Sequence, residues 1–411
     1  MPRALSVGSA AQRALGAGWW QSPRFRARSM AAATRGRRHG LRTACALLLP
    51  WLSVGTVLGQ SPVSLRLERG VNVSAWTRSA SRPFSARDAE AVRSLGFDFI
   101  RLQVDPVVLV RDGGPADSLL DEIRATVSFV NAAGLAVIAD VHPTDEFKLA
   151  ALSEPAAFDS LVRGLALLAR ALSRRSPDSV AIELLNEPVR PRHLQREWNW
   201  DSIQRTLWHV ARREAPYLTV VATGDRGSSI DGLLAALPLP DSNVVYTFHY
   251  YLPYLFTHQG ASWGYWASTF HPWLREVPYP SSPDRVQGRL ERSLGSAPDS
   301  ATRAAIAAAL SRYGEERWQR SRVLTDVRRA ADWARSHGVR VVAGEFGAFS
   351  NFALPEDRLA WLRDVRSALE ELGVGWALWR LWDYGEGFGL LRRDGSPDES
   401  VLAALGLTRL R

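Results

Sequence analysis

Eight short runs of β-branched and apolar residues alternate along this chain with longer segments of helical periodicity, and no other feature limits its fold so strongly. The strand-like runs are Leu65–Val73, Phe97–Gln103, Ala136–Val141, Val180–Leu185, Thr219–Thr223, Val244–Phe248, Arg340–Gly344 and Gly375–Trp379. Helices are predicted over Ala86–Leu95, Leu119–Ala133, Phe158–Arg174, Ser202–Glu214, Val323–His337 and Glu356–Leu372. In the last of these Leu359, Leu362, Val365, Leu369 and Leu372 recur at the spacing of one helical face. A parallel strand buried on both sides reads as a continuous apolar run, and each such strand needs a crossover helix. Eight units of this kind predict a (β/α)8 barrel. A doubly wound open sheet is the alternative, but no glycine-rich phosphate fingerprint follows the first run.

One connection breaks the rhythm. Between Tyr250 and Gly338 lie roughly ninety residues, far more than a barrel connection needs. Its first half is aromatic, with Tyr250, Tyr251, Tyr254, Phe256, Trp263, Trp266, Phe270, Trp273 and Tyr279; a Pro/Ser-rich stretch and an Ala-rich helix near Ala301–Tyr313 follow. This insertion between strands six and seven is expected to be an ordered excursion over the active face.

A net charge of +9 suggests a polyanion partner until its location is considered. Residues 1–59 carry nine arginines (Arg3, Arg13, Arg24, Arg26, Arg28, Arg35, Arg37, Arg38 and Arg42) and no acid. Without them basic and acidic residues balance at 42 each, so the rest of the chain has no global field to attract nucleic acid. Arg35–Arg42 followed by the apolar run Ala44–Gly59 has the form of a secretory leader, with Met30 an alternative start. The chain is therefore expected to divide into a leader over 1–59 and one catalytic barrel over 60–411. The product would be secreted or periplasmic and act as a monomer without a membrane partner, the alternative being anchorage by an uncleaved leader. The lone cysteine, Cys45, lies inside the leader, so the mature chain would have no disulfide and no thiolate metal site.

Active sites of such barrels lie at the carboxyl ends of the strands. The second run offers Arg101, the third His142, the fourth Asn186-Glu187-Pro188, the sixth His249-Tyr250-Tyr251, the seventh Glu345, and the eighth Trp379 and then Trp382. One polar strand end is unremarkable as a helix cap; six on one rim are a site. Glycoside hydrolysis needs a carboxylic acid to protonate the leaving oxygen and, in retaining enzymes, a carboxylate roughly 5–5.5 Å away to attack the anomeric carbon. Glu187 is expected to be the acid/base, its pKa raised by its neighbour's charge and by partial burial, and Glu345 the nucleophile. Arg101 would keep Glu345 ionised, and Asn186 would donate to the sugar 2-hydroxyl.

In order and in position, these residues resemble glycoside hydrolase family 5 from about Leu65 to Leu391. Asn186-Glu187-Pro188 resembles the family's acid/base signature and Gly344-Glu345-Phe346-Gly347 its nucleophile strand. Arg101, His142, the His249-x-Tyr251 pair and Trp379 match further family positions. The resemblance implies that Tyr251 hydrogen-bonds the nucleophile and that Trp379 floors the −1 subsite. It implies hydrolysis of a β-linked polysaccharide by double displacement, with β-1,4-glucan as the first substrate. β-Mannanase, β-1,3-glucanase and transglycosylase activities share the same fold, and a non-catalytic carbohydrate-binding barrel is a further rival.

Large aromatics serve cores and sugar platforms alike. Trp208, Trp333 and Trp361 fall within predicted helices and are expected in the core. Trp76, Trp263, Trp266 and Trp382 follow strands and are candidate sugar contacts, with Trp198 and Trp200 somewhat weaker ones. His258 and His271 are expected to be surface or structural residues. No histidine cluster follows the first strand, so neither a catalytic metal nor another cofactor is expected.

Overall fold

The computed structural model describes residues 64–76, 83–111, 114–190, 199–383 and 387–408. The expected leader, with Met30 and Cys45, and Trp198 lie outside the described residues. Eight parallel strands close into a barrel: β1 (Arg69–Trp76), β2 (Phe99–Val104), β3 (Ala136–Val141), β4 (Val180–Glu183), β5 (Thr219–Thr223), β6 (Val244–Tyr250), β7 (Arg340–Phe346) and β8 (Gly375–Leu378). Each pairs with its sequence neighbours, and β8 closes onto β1 through Arg69 opposite Trp376. Two further two-residue strands, Val110–Arg111 and Gly114–Pro115, form a small antiparallel pair outside the barrel.

Local chemistry explains where the helices begin. Ser85 and Asp88 form a reciprocal capping box at the start of Ala86–Ser94, and Thr144, Asn199, Ser282 and Asp299 cap later helices through their side chains. The helical faces and the outward faces of the strands make one large apolar core. A second, smaller cluster fills the lower barrel interior with Leu67, Phe99, Ile138, Ala181, Val221, Val245, Val342 and Ala377.

Side chains alternate along a strand, so residues two positions beyond these apolar plugs also point inward. That rule places Arg101 above Phe99, Asp140 above Ile138, Glu183 above Ala181 and His249 two steps above Val245. The barrel interior thus changes from apolar to charged toward the carboxyl ends of its strands. Gly70 makes room below: a Cβ there would lie 2.3 Å from the Phe99 ring.

The insertion after β6 is ordered, and its two halves behave differently. The segment from Tyr251 to Trp273, with a short helix at Tyr254–Thr257 and two 3-10 turns, lies beside the carboxyl end of the barrel. Helices Pro283–Leu294 and Ser300–Glu316 instead pack on the outer wall, where Arg285 pairs with Asp357 at 2.7 Å and Tyr279 donates to Asp364 at 2.9 Å. The expectation that the whole excursion covers the active face holds for the first half only. The Ala-rich half buries its apolar residues, Ile306, Leu310 and Tyr313, away from the site.

Candidate active site

Arg101 organises the site from below. It is the third residue of β2 rather than a strand-end residue, and its side chain is fully buried. Its Nε and Nη2 donate to the two oxygens of Glu183 at 2.7 and 2.8 Å, and its Nη1 donates to Glu345 at 2.7 Å and to Asn72 at 2.9 Å. Nη2 also donates to Asn186 at 2.9 Å and lies 2.9 Å from Asp140. Burial alone would lower the Arg101 pKa, but the charges of Asp140, Glu183 and Glu345 raise it well above its ordinary value. The five N–H donors of the planar guanidinium fork let one buried cation meet more acceptors at once than the three donors of an ammonium, and meet a carboxylate through two parallel bonds.

The two expected carboxylates converge above Arg101. Oxygens of Glu187 and Glu345, with a ring nitrogen of His249, all lie within 4.8 Å of one another. Glu345 comes from β7, directly opposite His249 in the register with β6. It accepts from Arg101 on one oxygen and from the Tyr251 hydroxyl, at 2.9 Å, on the other. Burial and the Glu345 charge push the Tyr251 hydroxyl well above its ordinary pKa, so it remains a donor. Glu187 follows β4 at φ 44°, a left-handed conformation uncommon for a bulky residue. The amide of Gly227 donates to Pro188 at 3.0 Å and pins this turn.

His249 Nδ1 lies 2.8 Å from Glu187 Oε1 and 3.5 Å from Glu345 Oε2. Burial would lower the His249 pKa, but the Glu345 charge and the bond and charge of Glu187 raise it. The effect on Glu187 reverses the expectation from sequence. Burial pushes this carboxyl up, but the hydrogen bond and charge of His249, with smaller contributions from Lys148 and His142, outweigh it and hold the group at about 2. The His249 imidazole on β6, far from Glu187 in linear sequence, outweighs the expected repulsion from Glu345.

A second chain of bonds orients Asn186. Asp140 accepts from His142 Nδ1 at 2.7 Å, which leaves His142 Nε2 to accept from the Asn186 amide at 3.3 Å. The Asn186 oxygen is meanwhile taken by Arg101, so both ends of the amide are assigned. The Trp379 ring stacks on His142 with centroids 6.0 Å apart and 17° between planes, and joins Tyr251, Phe349 and Phe388 beside Glu345.

The remaining tryptophans divide by burial. Trp263 is 38% exposed and meets Phe349 edge-on at 4.9 Å, with Phe388 beyond, so it stands at the rim of the site. Trp76 and Trp382 belong to the main core instead. The Trp76 indole donates to Glu122 at 3.1 Å, and Trp382 packs edge-on against Phe84 at 5.7 Å. Trp200 is buried with its indole bonded to the Thr223 carbonyl at 2.7 Å, while Trp333 and Trp361 lie in the core as expected. His258 and His271 are buried in the aromatic half of the insertion, against Trp266 at 4.7 and 4.4 Å.

Three residues here escaped the sequence reading. Glu183 holds Arg101 from the opposite side to Glu345, and its signal was an acid inside a strand predicted to be buried. Asn72, inside the first apolar run, donates to the Gly344 and Leu378 carbonyls and braces β1 against β7 and β8. Lys148, on the helix after β3, is buried and paired with Asp145 at 3.0 Å, and gave no signal beyond helical spacing. Glu187, His249 and Glu345 are also the one group among the described residues close enough to hold a metal. Their facing atoms are already used against one another and by Arg101 and Tyr251, an arrangement suited to moving a proton beside a nucleophile rather than to ligating a cation.

Known proteins match this chain along most of its length. The model of the family described as Cellulase (glycosyl hydrolase family 5) matches residues 63–385. The chain is similar to endoglucanase 3 of Fibrobacter succinogenes, 23% identical over 359 residues, which cover 83% of this chain and 53% of that protein. It is also similar to endoglucanase C of Acetivibrio thermocellus, 25% identical over 331 residues, which cover 75% of this chain and 90% of that protein. The chain thus spans about half the length of the first relative and most of the second. Among solved structures, a hyperthermophilic endo-β-1,4-glucanase in complex with substrate superposes with a TM-score of 0.64 at 22% identity, over 83% of this chain and 97% of that one. Thermotoga maritima Cel5A in complex with mannotriose gives 0.63 at 18% identity, over 84% and 98%. At these identities the structural likeness speaks for the barrel alone.

Proposed function

Since the chain belongs to glycoside hydrolase family 5, we propose that it cleaves internal β-1,4 bonds of a glucan with retention, Glu345 attacking the anomeric carbon and Glu187 serving as acid and then base. The observation that carries this reading is the approach of the Glu187 and Glu345 carboxylates to within 4.8 Å, too close for a water molecule to act between them as inversion requires. Arg101 and Tyr251 support it further, because they aim one oxygen pair of Glu345 and leave that carboxylate little freedom to turn. Asn186 retains one amide hydrogen for a sugar hydroxyl, and Trp379 offers a partly buried ring beside His142 and Tyr251.

In the first half-reaction the C1–O bond to the leaving sugar breaks as Glu345 bonds to C1, and the Glu187 proton goes to the departing oxygen. In the second, Glu187 takes a proton from water as the water oxygen displaces Glu345, restoring both carboxyl groups. The choice of β-1,4-glucan rests on the names of the relatives. Export through the arginine-rich leader belongs to the same proposal and accords with a polymeric substrate too large to enter a cell.

The test is reducing-sugar release by the full chain from carboxymethylcellulose, glucomannan, galactomannan and laminarin, with anomer formation followed by NMR. Activity strongest on carboxymethylcellulose, β-anomer first, and lost in Glu187→Ala and Glu345→Ala supports the proposal. Preference for galactomannan would reassign the substrate, and initial α-anomer would overturn the mechanism.

A further inference from the structure

Thr257 closes the short helix Tyr254–Thr257 and is fully buried. A threonine in that place ordinarily bonds back to the carbonyl four residues earlier, and the Pro253 carbonyl does lie 3.4 Å from its hydroxyl. The shorter bond, at 2.6 Å, goes to the carbonyl of Tyr251 instead. A carbonyl only accepts, so the single hydroxyl proton belongs to this bond. His258 Nδ1, 3.0 Å from the same oxygen, therefore donates to it, which fixes the neutral imidazole as the Nδ1–H tautomer. The Thr257 carbonyl is engaged as well, accepting from the Phe349 amide at 2.9 Å.

These bonds join the two loops that carry the nucleophile and its donor. Tyr251 follows β6, and Phe349 follows Glu345 on the loop after β7. A closed circuit results. The Tyr251 hydroxyl donates to Glu345 at 2.9 Å, the Tyr251 carbonyl is held by the Thr257 hydroxyl, the Thr257 carbonyl holds the Phe349 amide, and the chain leads from Phe349 back to Glu345. The barrel ladder does not supply this restraint, because its last rung between β6 and β7 pairs Tyr250 with Phe346. Packing sets the Tyr251 ring edge-on to His258 at 5.3 Å and to Phe388 at 6.4 Å. Apolar packing is non-directional and lets a ring slide, whereas a hydrogen bond weakens steeply once its angle departs from the optimum.

Resting on the reading of Glu345 as nucleophile, we propose that Thr257 is a positioning residue for the attack step: its hydroxyl and carbonyl fix the span between the loops after β6 and β7 and so keep the Tyr251 hydroxyl on Glu345. Being fully buried, Thr257 reaches no substrate and acts through Tyr251. Without its hydroxyl the Tyr251 main chain is free to draw away from the β7 side, and the phenol from the carboxylate. Arg101 would still hold the other oxygen of Glu345, so the ion pair survives while the carboxylate gains freedom to turn about it. A misplacement of about 1 Å near reacting atoms costs about a hundredfold in rate, so a partial loosening of this kind should cost about tenfold. The aromatic half of the insertion therefore serves the chemistry as well as the rim: the segment that presents Trp263 also sets the aim of the nucleophile.

The experiment is a double-mutant cycle between Thr257 and Tyr251 in the full-length protein. It is read as kcat/KM for a dinitrophenyl cellobioside, whose leaving group needs no proton, so that the rate reports attack by Glu345 rather than donation by Glu187. Thr257→Val keeps the shape, removes the hydroxyl and should lower kcat/KM about tenfold, while Thr257→Ser, which retains the donor, should stay within about threefold of the unaltered chain. In a Tyr251→Phe background the same valine change should cost less than about twofold, because the phenol that Thr257 aims is already gone. No loss in Thr257→Val, or the same factor in both backgrounds, overturns the proposal and leaves Thr257 a residue of the fold alone. If Thr257→Val does not fold, Thr257→Cys, a weak donor of similar size, takes its place in the cycle with the same coupling expected. Carbon-13 NMR of the tyrosine Cζ atoms gives a readout that needs no substrate, the Tyr251 signal being assigned by its loss in Tyr251→Phe. That signal should move in Thr257→Val in the direction it takes in Glu345→Gln, and stay in place in Thr257→Ser; a signal unmoved in Thr257→Val also overturns the proposal. A chain inert on the cellobioside would count against the glucanase reading, while the Tyr251 signal would still decide whether Thr257 holds Tyr251 on Glu345.

Discussion

Glu183 and Glu345 occupy opposite edges of a single buried guanidinium, Arg101, at 2.7 Å on each side. Glu183 never reaches the substrate side, yet it fixes the plane of Arg101 through both of its oxygens and thereby the direction from which Glu345 is held.

The first prediction concerns this arrangement. Arg101→Met removes the cation shared by Asp140, Glu183 and Glu345 and should destabilise the barrel by about 3–5 kcal/mol, because buried carboxylates are left unpaired. Glu183→Gln keeps the shape and one acceptor and should cost about 1–3 kcal/mol, with a fall in kcat larger than any change in KM. Urea unfolding alongside steady-state kinetics separates the two effects. A Glu183→Gln enzyme with unchanged kcat would show that the Arg101 plane does not depend on its second partner.

Trp76 and Trp382 should behave as core residues despite their position after strands. Alanine at either is expected to cost about 3–5 kcal/mol in unfolding free energy while leaving the KM for cello-oligosaccharides within about twofold. Trp263→Ala should show the opposite pattern, with a modest stability loss and a KM that rises severalfold, on the order of 1 kcal/mol of lost ring contact. A selective KM increase in Trp382→Ala would return that ring to the binding surface.

Gly260 ties the aromatic half of the insertion to the loop after β7. Its φ of +82° suits glycine, and a Cβ there would fall 1.9 Å from the Phe352 ring. Gly260→Ala should therefore cost more than about 1 kcal/mol and loosen the packing around Trp263. Adding Phe352→Leu should recover only the part due to space, leaving the backbone strain. Differential scanning calorimetry and tryptophan fluorescence of the single and double variants would distinguish the two contributions.

His258 and His271 make the insertion acid-sensitive. Burial lowers His258 to about 3, helped by the charge of His271, and lowers His271 to about 4. Unfolded histidine titrates near ~6.5, so below that pH the unfolded chain binds protons that the folded one refuses. Stability contributed by these two groups is fully present above ~6.5 and is lost as pH falls toward their folded values. Each should add up to about 1.4 kcal/mol per pH unit to the slope of stability across that interval. Replacing both with phenylalanine should flatten the slope in urea titrations between those pH values; an unchanged slope would mean that neither is held neutral in the folded protein.

Much of the molecule was legible beforehand because it depends on local pattern. The eight barrel strands and six helices fall where β-branched runs and helical periodicity place them, with strand ends shifted by a few residues, since apolar content marks a buried strand but not the last bond of its ladder. Glu187, Glu345, His142, Asn186, His249, Tyr251 and Trp379 stand on one rim because consecutive parallel strands must end on the same side, and Arg101 reaches them from inside β2. The errors share one cause. Trp76 and Trp382 look like Trp263 in linear sequence, and only packing against Phe84 or exposure at the rim separates them. Glu183 and Asn72 came to matter through partners 82 and 272 residues away. The pKa of Glu187 was misjudged because His249 lies 62 residues downstream. The sequence by itself determined that this chain closes a barrel and which polar residues ring its mouth, because strand and helix periodicity are written in neighbouring residues. Only the tertiary structure decided which of those residues pair and which are buried, because electrostatic energies depend on distances of a few ångströms between groups that the chain itself holds far apart.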